Sequence, residues 1–310
     1  MNILVAGSTG VVGAPLTKKL VELGHQVTGT TRSESRLAGI EAVGATPTVC
    51  DALDRASVGA MMESVRPEVV INQLTNFPTD LDQRDPGFYD GTNEIRRVGG
   101  RNLLEAAQDA GVRRFVTQSL AFMYRPSGDW VKDESAPNVD EFSGSIGGAF
   151  QAMLEHEKLV VDADGIEGVI LRYGFFYGPG TFYAGDGITG IEVKRRRYPI
   201  IGKGTGVMSF VHREDAADAA LAAIDHGAPG IYNVVDNEPA PMSEWVPIYA
   251  ESLGAKPPRR IPLWLARLVA GKEIAALAVE MRGADNTKAK SELAWEPEHP
   301  SWRRGFLDAN

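Results

Sequence analysis

Cysteine is nearly missing from this chain of 310 residues, where Cys50 stands alone. No intrachain disulfide can form, which fits a reducing compartment. Long apolar runs are missing too. The most apolar late segment, 264–281, is interrupted by Arg267, Lys272 and Glu273, so no membrane span is expected. The first residues show neither a basic leader nor a long apolar stretch, and the expectation is a cytoplasmic protein. Positive charge is in deficit. Lys and Arg number 32 against 41 Asp and Glu, a formal net charge of −9. Such a surface repels phosphate backbones and anionic lipid, so neither nucleic acid nor a membrane is expected as a partner. The chain has no Gly-x-Ser-x-Gly elbow and no His/Cys/Asp/Glu grouping with metal-ligand spacing. A hydrolase triad and a metal site are therefore not expected.

Short apolar runs alternate with longer amphipathic stretches. The runs are 3–6, 26–30, 46–49, 69–71, 115–117, 169–171 and, late in the chain, 230–236. Runs of this kind suit strands buried on both faces of a parallel sheet. Leu16, Leu20 and Leu23 give one helix, stopped by Gly24. Asp54 is placed to cap a helix running to Ser64. Residues 99–110 and 154–163 give two more. This rhythm predicts an α/β fold, a doubly wound parallel sheet with right-handed crossovers. After about residue 175 glycine and proline become frequent and the rhythm breaks, which predicts a smaller lobe packed on the first unit.

The strongest motif is Gly7-Ser8-Thr9-Gly10-Val11-Val12-Gly13, placed between the first strand and the first helix. That context is the dinucleotide fingerprint. The first glycine permits the tight turn, the second lets the main chain approach a pyrophosphate, and the third lets helix and strand pack closely. Free N–H groups and the positive end of the helix dipole receive the anion. At the end of the second strand, Thr30-Thr31-Arg32-Ser33 carries no carboxylate to hold a ribose 2′-hydroxyl. Arg32 favours a 2′-phosphate, hence NADP over NAD.

With these blocks the chain resembles the extended short-chain dehydrogenase/reductase superfamily, in its epimerase/dehydratase branch. The matching residues are the Gly7/Gly10/Gly13 loop, Cys50 to Asp54, Asn102 to Ala107, Gly111 to Val116, Leu171 to Gly180, Phe210 to Ala217 and Ala289 to Pro297. The resemblance implies a Rossmann domain over 1–174 interleaved with a smaller mixed α/β substrate-binding lobe over 175–310, without a linker. It implies that Gly7, Thr9, Gly10, Val11, Val12 and Gly13 line the pyrophosphate. Arg32 then faces the adenosine ribose, Asp51 and Ala52 the adenine, and Gln73, Leu74 and Thr75 run beneath the nicotinamide ribose. It also implies a homodimer and a small-molecule substrate.

The superfamily's proton chemistry uses Tyr and Lys four residues apart on one helix face, the Lys lowering the Tyr pKa. None of the eight tyrosines here has Lys at that distance. Aligning on Glu157-Lys158-Leu159-Val160 puts Ala149 at the Tyr position and Met153 at the Lys position, and the second strand-end Ser is Leu120. An atypical member is expected, either an oxidoreductase or epimerase/dehydratase-like enzyme working on a carbonyl, alcohol or activated double bond, or a non-catalytic NAD(P) sensor. Replacement groups are sought in Ser119, Tyr124, Tyr173 and Lys132, with packing roles as the alternative for the tyrosines. His156 is read as a helix-surface residue, Asp215 as the cap of the following helix, and Lys194 to Arg197 as a solvated helix end.

Overall fold

β-branched and other apolar side chains build seven short strands: β1 (Asn2–Ala6), β2 (Gln26–Thr31), β3 (Thr46–Val49), β4 (Val69–Asn72), β5 (Arg114–Leu120), β6 (Glu167–Tyr173) and β7 (Gly230–Val234). All pair in parallel, in the order β7-β6-β5-β4-β1-β2-β3. The computed structural model describes residues 1–77, 85, 87–141 and 143–308. The central strands are buried on both sides, as parallel sheets require.

One face is covered by α1 (Gly13–Glu22) and a helix at Arg213–Ala222, through Leu16, Leu20, Ala216 and Ala220. The other is covered by α2 (Arg55–Val65), α3 (Gly100–Asp109) and α4 (Gly144–Val161), through Val58, Met62, Leu103, Leu104 and Val160. Asp54 caps α2 as expected, accepting from Ala56 N at 3.0 Å. The helix at Arg213–Ala222 is not capped by Asp215. Its cap is His212, and Asp215 is buried within the helix, accepting from Glu298 N and His299 N at 3.0 Å each. This carboxylate ties the C-terminal segment to that helix.

Beyond β6 the chain adds short strand pairs, an aromatic core of Tyr177, Phe210, Trp245, Tyr249, Trp302 and Phe306, and helices at Met242–Ser252, Leu263–Val269 and Lys272–Glu280. β7 returns from this part to complete the sheet. Among the described residues no helix is long and apolar enough to cross a membrane.

Candidate functional site

The loop after β1 has the shape its sequence predicts. Gly7 sits at φ +85°, and a Cβ there would stand 2.7 Å from the Gln73 carbonyl oxygen. A Cβ on Gly13 would stand 2.1 Å from the Gly7 carbonyl oxygen, so side chains at either position would fill the turn. Gly10 N donates to Gly7 O at 3.0 Å and fixes the loop. α1 follows directly, with no acidic residue in its first turn. The cradle therefore fits a diphosphate held by main-chain N–H groups.

Arg32 is exposed at the end of β2 and donates to Asn76 Oδ1 at 2.7 Å. Beside it the Ser33 and Ser35 hydroxyls are 2.7 Å apart. Asp51 accepts from Leu53 N at 3.0 Å, and the Ala52 carbonyl accepts from Asn102 Nδ2 at 2.9 Å. Gln73 is buried under the loop and donates to Tyr173 Oη at 3.2 Å, while its Oε1 has no partner. Leu74 lines a small cavity at the strand ends, and Thr75 follows it in the same segment.

The four residues sought as replacements for the relay are not gathered into one. Ser119 Oγ donates to Glu157 Oε1 at 2.5 Å. Glu157 forms a two-point ion pair with Arg172, at 2.8 and 2.6 Å. Arg172 also donates to Tyr124 Oη at 3.1 Å, and Tyr124 donates to Asn233 Oδ1 at 2.6 Å. All five are buried, so Ser119 and Tyr124 belong to an internal network across β5, β6, β7 and α4. Burial alone would lower the Arg172 pKa, but its bonds to Glu157 outweigh that and raise it. Burial raises the Tyr124 pKa. Tyr173 follows Arg172 on β6 and faces the opposite side of the sheet, in the α1 core, where burial raises its pKa too. Lys132 Nζ donates to the Ser127 carbonyl at 2.6 Å. Neither tyrosine can approach a free substrate without leaving these bonds.

The positions that the sequence alignment assigns to the relay carry apolar side chains. Ala149 and Met153 are buried on α4, and Met153 clusters with Met123 and Phe150, against which Leu120, Phe122 and Leu277 pack. Phe122 stacks on Phe175 at 4.2 Å, and Phe77 meets Phe182 edge-on at 5.9 Å. Aromatic rings from the loop after β4 and from the second part of the chain thus face each other.

The cavity, of about 10 Å³, is lined by Asn72, Leu74, Arg96, Thr117, Met153 and His156, with Ile95 and Gln118. His156 is not on the surface. It is 3% exposed, shares a hydrogen bond with Thr117 Oγ1 at 2.9 Å, and has a pKa lowered to about 4 by burial and then by Arg96. Its ring lies where a Cβ on Gly100 would stand, 2.5 Å from Cε1. Arg96 was absent from the sequence expectations. Thr92, Arg96, Gly99 and Leu103 share one buried helical face, but only Leu103 is strongly apolar, so the sequence carries no stripe that points to Arg96.

A family model described as the NAD dependent epimerase/dehydratase family matches residues 3–234. The chain is 43% identical over 307 residues to 3-diazoavenalumate denitrifying reductase of a Streptomyces species, covering 99% of both chains. Its fold is that of UDP-glucose 4-epimerase of Thermotoga maritima solved with UDP-glucose, at a TM-score of 0.77 and 24% identity over 99% of this chain and 96% of that one. A human epimerase family protein solved with NADPH superposes at a TM-score of 0.75 and 19% identity, over 100% of this chain and 99% of that one.

Proposed function

The chain belongs to the NAD dependent epimerase/dehydratase family, and on that premise we propose that it is an NADPH-using reductase that removes nitrogen from an aromatic diazo compound. The family and the relatives make the chain an NAD(P)-dependent oxidoreductase or epimerase-like enzyme. The diazo reading is supported by one observation: Leu120, Ala149 and Met153, which the sequence alignment sets at the positions of the proton-relay groups, carry apolar side chains.

Reducing a ketone to an alcohol requires a proton at oxygen, and this cleft has replaced the usual donor with hydrocarbon. When bound, a reduced nicotinamide supplies a hydride, and an aryl diazonium carbon that takes it releases dinitrogen: ArN2+ plus hydride gives ArH plus N2, with no proton in the balance. The chain's own residues then have only to bind, orient and exclude water. The relative matched end to end bears both features in its name, a diazo substrate and a denitrifying reduction.

In this reading Gly7, Thr9, Gly10, Val11, Val12 and Gly13 hold the diphosphate. Arg32 with Ser33 and Ser35 takes the 2′-phosphate, Asp51 and Ala52 border the adenine, and Gln73, Leu74 and Thr75 underlie the nicotinamide ribose. Phe122, Phe175 and Phe182 offer aromatic surface to a flat substrate.

The test incubates the purified chain with arenediazonium salts and NADPH or NADH, with enzyme-free controls subtracted. NADPH loss is expected to match N2 and arene formation mole for mole. Arg32→Asp is expected to shift preference toward NADH by roughly tenfold or more, the worth of a charge-assisted phosphate contact. Tight NADPH binding without turnover would overturn the reductase reading in favour of a sensor.

A further inference from the structure

A guanidinium is buried beside Ala149 and Met153, and among the described residues no carboxylate neutralises it. Arg96 is 8% exposed, and its Nη1 reaches Asn93 Oδ1 and the Ala149 carbonyl at 3.4 Å each, the long limit of a hydrogen bond. Its Nε has no partner among the described residues. Among the described residues no carboxylate pairs with it, whereas the adjacent Arg97 is exposed and meets Glu155 at 2.6 Å. The cavity it lines has no acidic wall residue among those described, and about 10 Å³ is room for about one oxygen atom.

The backbone carrying it is irregular as well. A π turn at Ile95–Gly99 joins the helical segment Asp90–Glu94 to α3, and such turns recur at functional sites. Burial lowers Arg96 to about 10, so it stays charged at neutral pH. An unpaired buried cation is costly, and an anion from outside removes that cost.

We propose that Arg96 receives a carboxylate of the substrate, which makes the ligand class an aromatic acid held by its anionic end. The inference rests on the reductase reading in that the anion belongs to that enzyme's substrate. A guanidinium N–H to a carboxylate oxygen is a charge-assisted bond, and the cavity has room for one such oxygen near the free Nε. The ring of the same molecule extends along the aromatic surface of Phe122 and Phe175. Gln118, whose Nε2 donates to the Leu74 carbonyl at 2.7 Å, holds the β4 loop against this cavity.

Calorimetry on the full chain loaded with NADP+ tests this with two unreactive probes, cinnamate and its neutral amide, cinnamamide. Wild type is expected to bind cinnamate at least about tenfold tighter than the amide. Arg96→Met is expected to abolish that ratio, and Arg96→Lys to retain part of it, both with unchanged NADP+ affinity. Equal binding of the two probes by wild type overturns the proposal, as does no binding of either. So does a ratio that survives in a folded Arg96→Met protein, or a loss of NADP+ affinity with the ratio intact. If Arg96→Met does not fold, the wild-type ratio and Arg96→Lys decide. Neither probe carries a diazo group, so failure here and failure of the turnover assay are read separately.

Discussion

Two of the hydroxyls considered as proton donors are already hydrogen-bonded inside the protein. Tyr124 donates to Asn233 and accepts from Arg172, and Ser119 donates to Glu157. These bonds satisfy a buried ion pair whose partners would otherwise be left unpaired. Tyr124→Phe should therefore cost stability, about 1–3 kcal/mol for the groups left short of a partner, while turnover stays within about twofold. Thermal or urea denaturation alongside steady-state rates checks this, and a collapse in rate at unchanged stability would restore Tyr124 as an acid. At this scale the sequence was half legible. That Ala149 and Met153 cannot relay a proton is written in their side chains. Where Ser119 and Tyr124 point is not, because Glu157 and Arg172 lie 38 and 48 residues further along the chain.

Elements were easier to read than contacts. β3 has the expected bounds, and β1, β2 and β4 differ from them by one residue; both-face burial leaves apolar runs in β1 and β4, whereas the edge strand β3 is half-exposed and is marked by its β-branched residues. α4 begins at Gly144, ten residues before the expected start. Its first turns, with Gly144, Gly147, Gly148 and Ala149, carry too little hydrophobic periodicity to announce a helix. A Cβ on Gly144 would stand 3.2 Å from the Glu273 side chain, and Gly100 likewise makes room for His156. That imidazole, buried neutral, sets a pH dependence. The unfolded ring takes its proton near 6.5 and the folded one near 4, so the unfolded state binds more protons in between. Stability from this group is complete above about 6.5 and is lost as pH falls toward 4, on the order of 3 kcal/mol in all. His156→Gln is expected to flatten the decline in melting temperature between pH 7 and 5. Comparing slopes cancels Asp215 and Asp236, whose pKa values are raised by burial and act in the opposite sense. Parallel declines in the two proteins would remove His156 as the cause.

At the scale of the whole molecule, the parallel order puts the glycine loop at the carboxyl ends of the strands, where open α/β sheets bind ligands, and Arg96 and Met153 line a cavity with Asn72 and Leu74 at the end of β4. The alternation of runs and amphipathic stretches showed this doubly wound sheet. The second part of the chain was not readable in the same way, because its strands of two or three residues carry no period. Its attachment through β7 and through the Asp215 carboxylate comes only from folding.

In the proposed reaction this cleft passes a hydride and no proton. The most direct measurement follows the new hydrogen of the arene, using NADPH deuterated at C4 in ordinary water and unlabelled NADPH in heavy water. The account predicts deuterium in the arene from the labelled cofactor only, with kcat/KM for the diazonium flat between about pH 6 and 9, as expected without a general acid. Deuterium arriving from heavy water, or a rate that falls with one titrating group across that range, would contradict it.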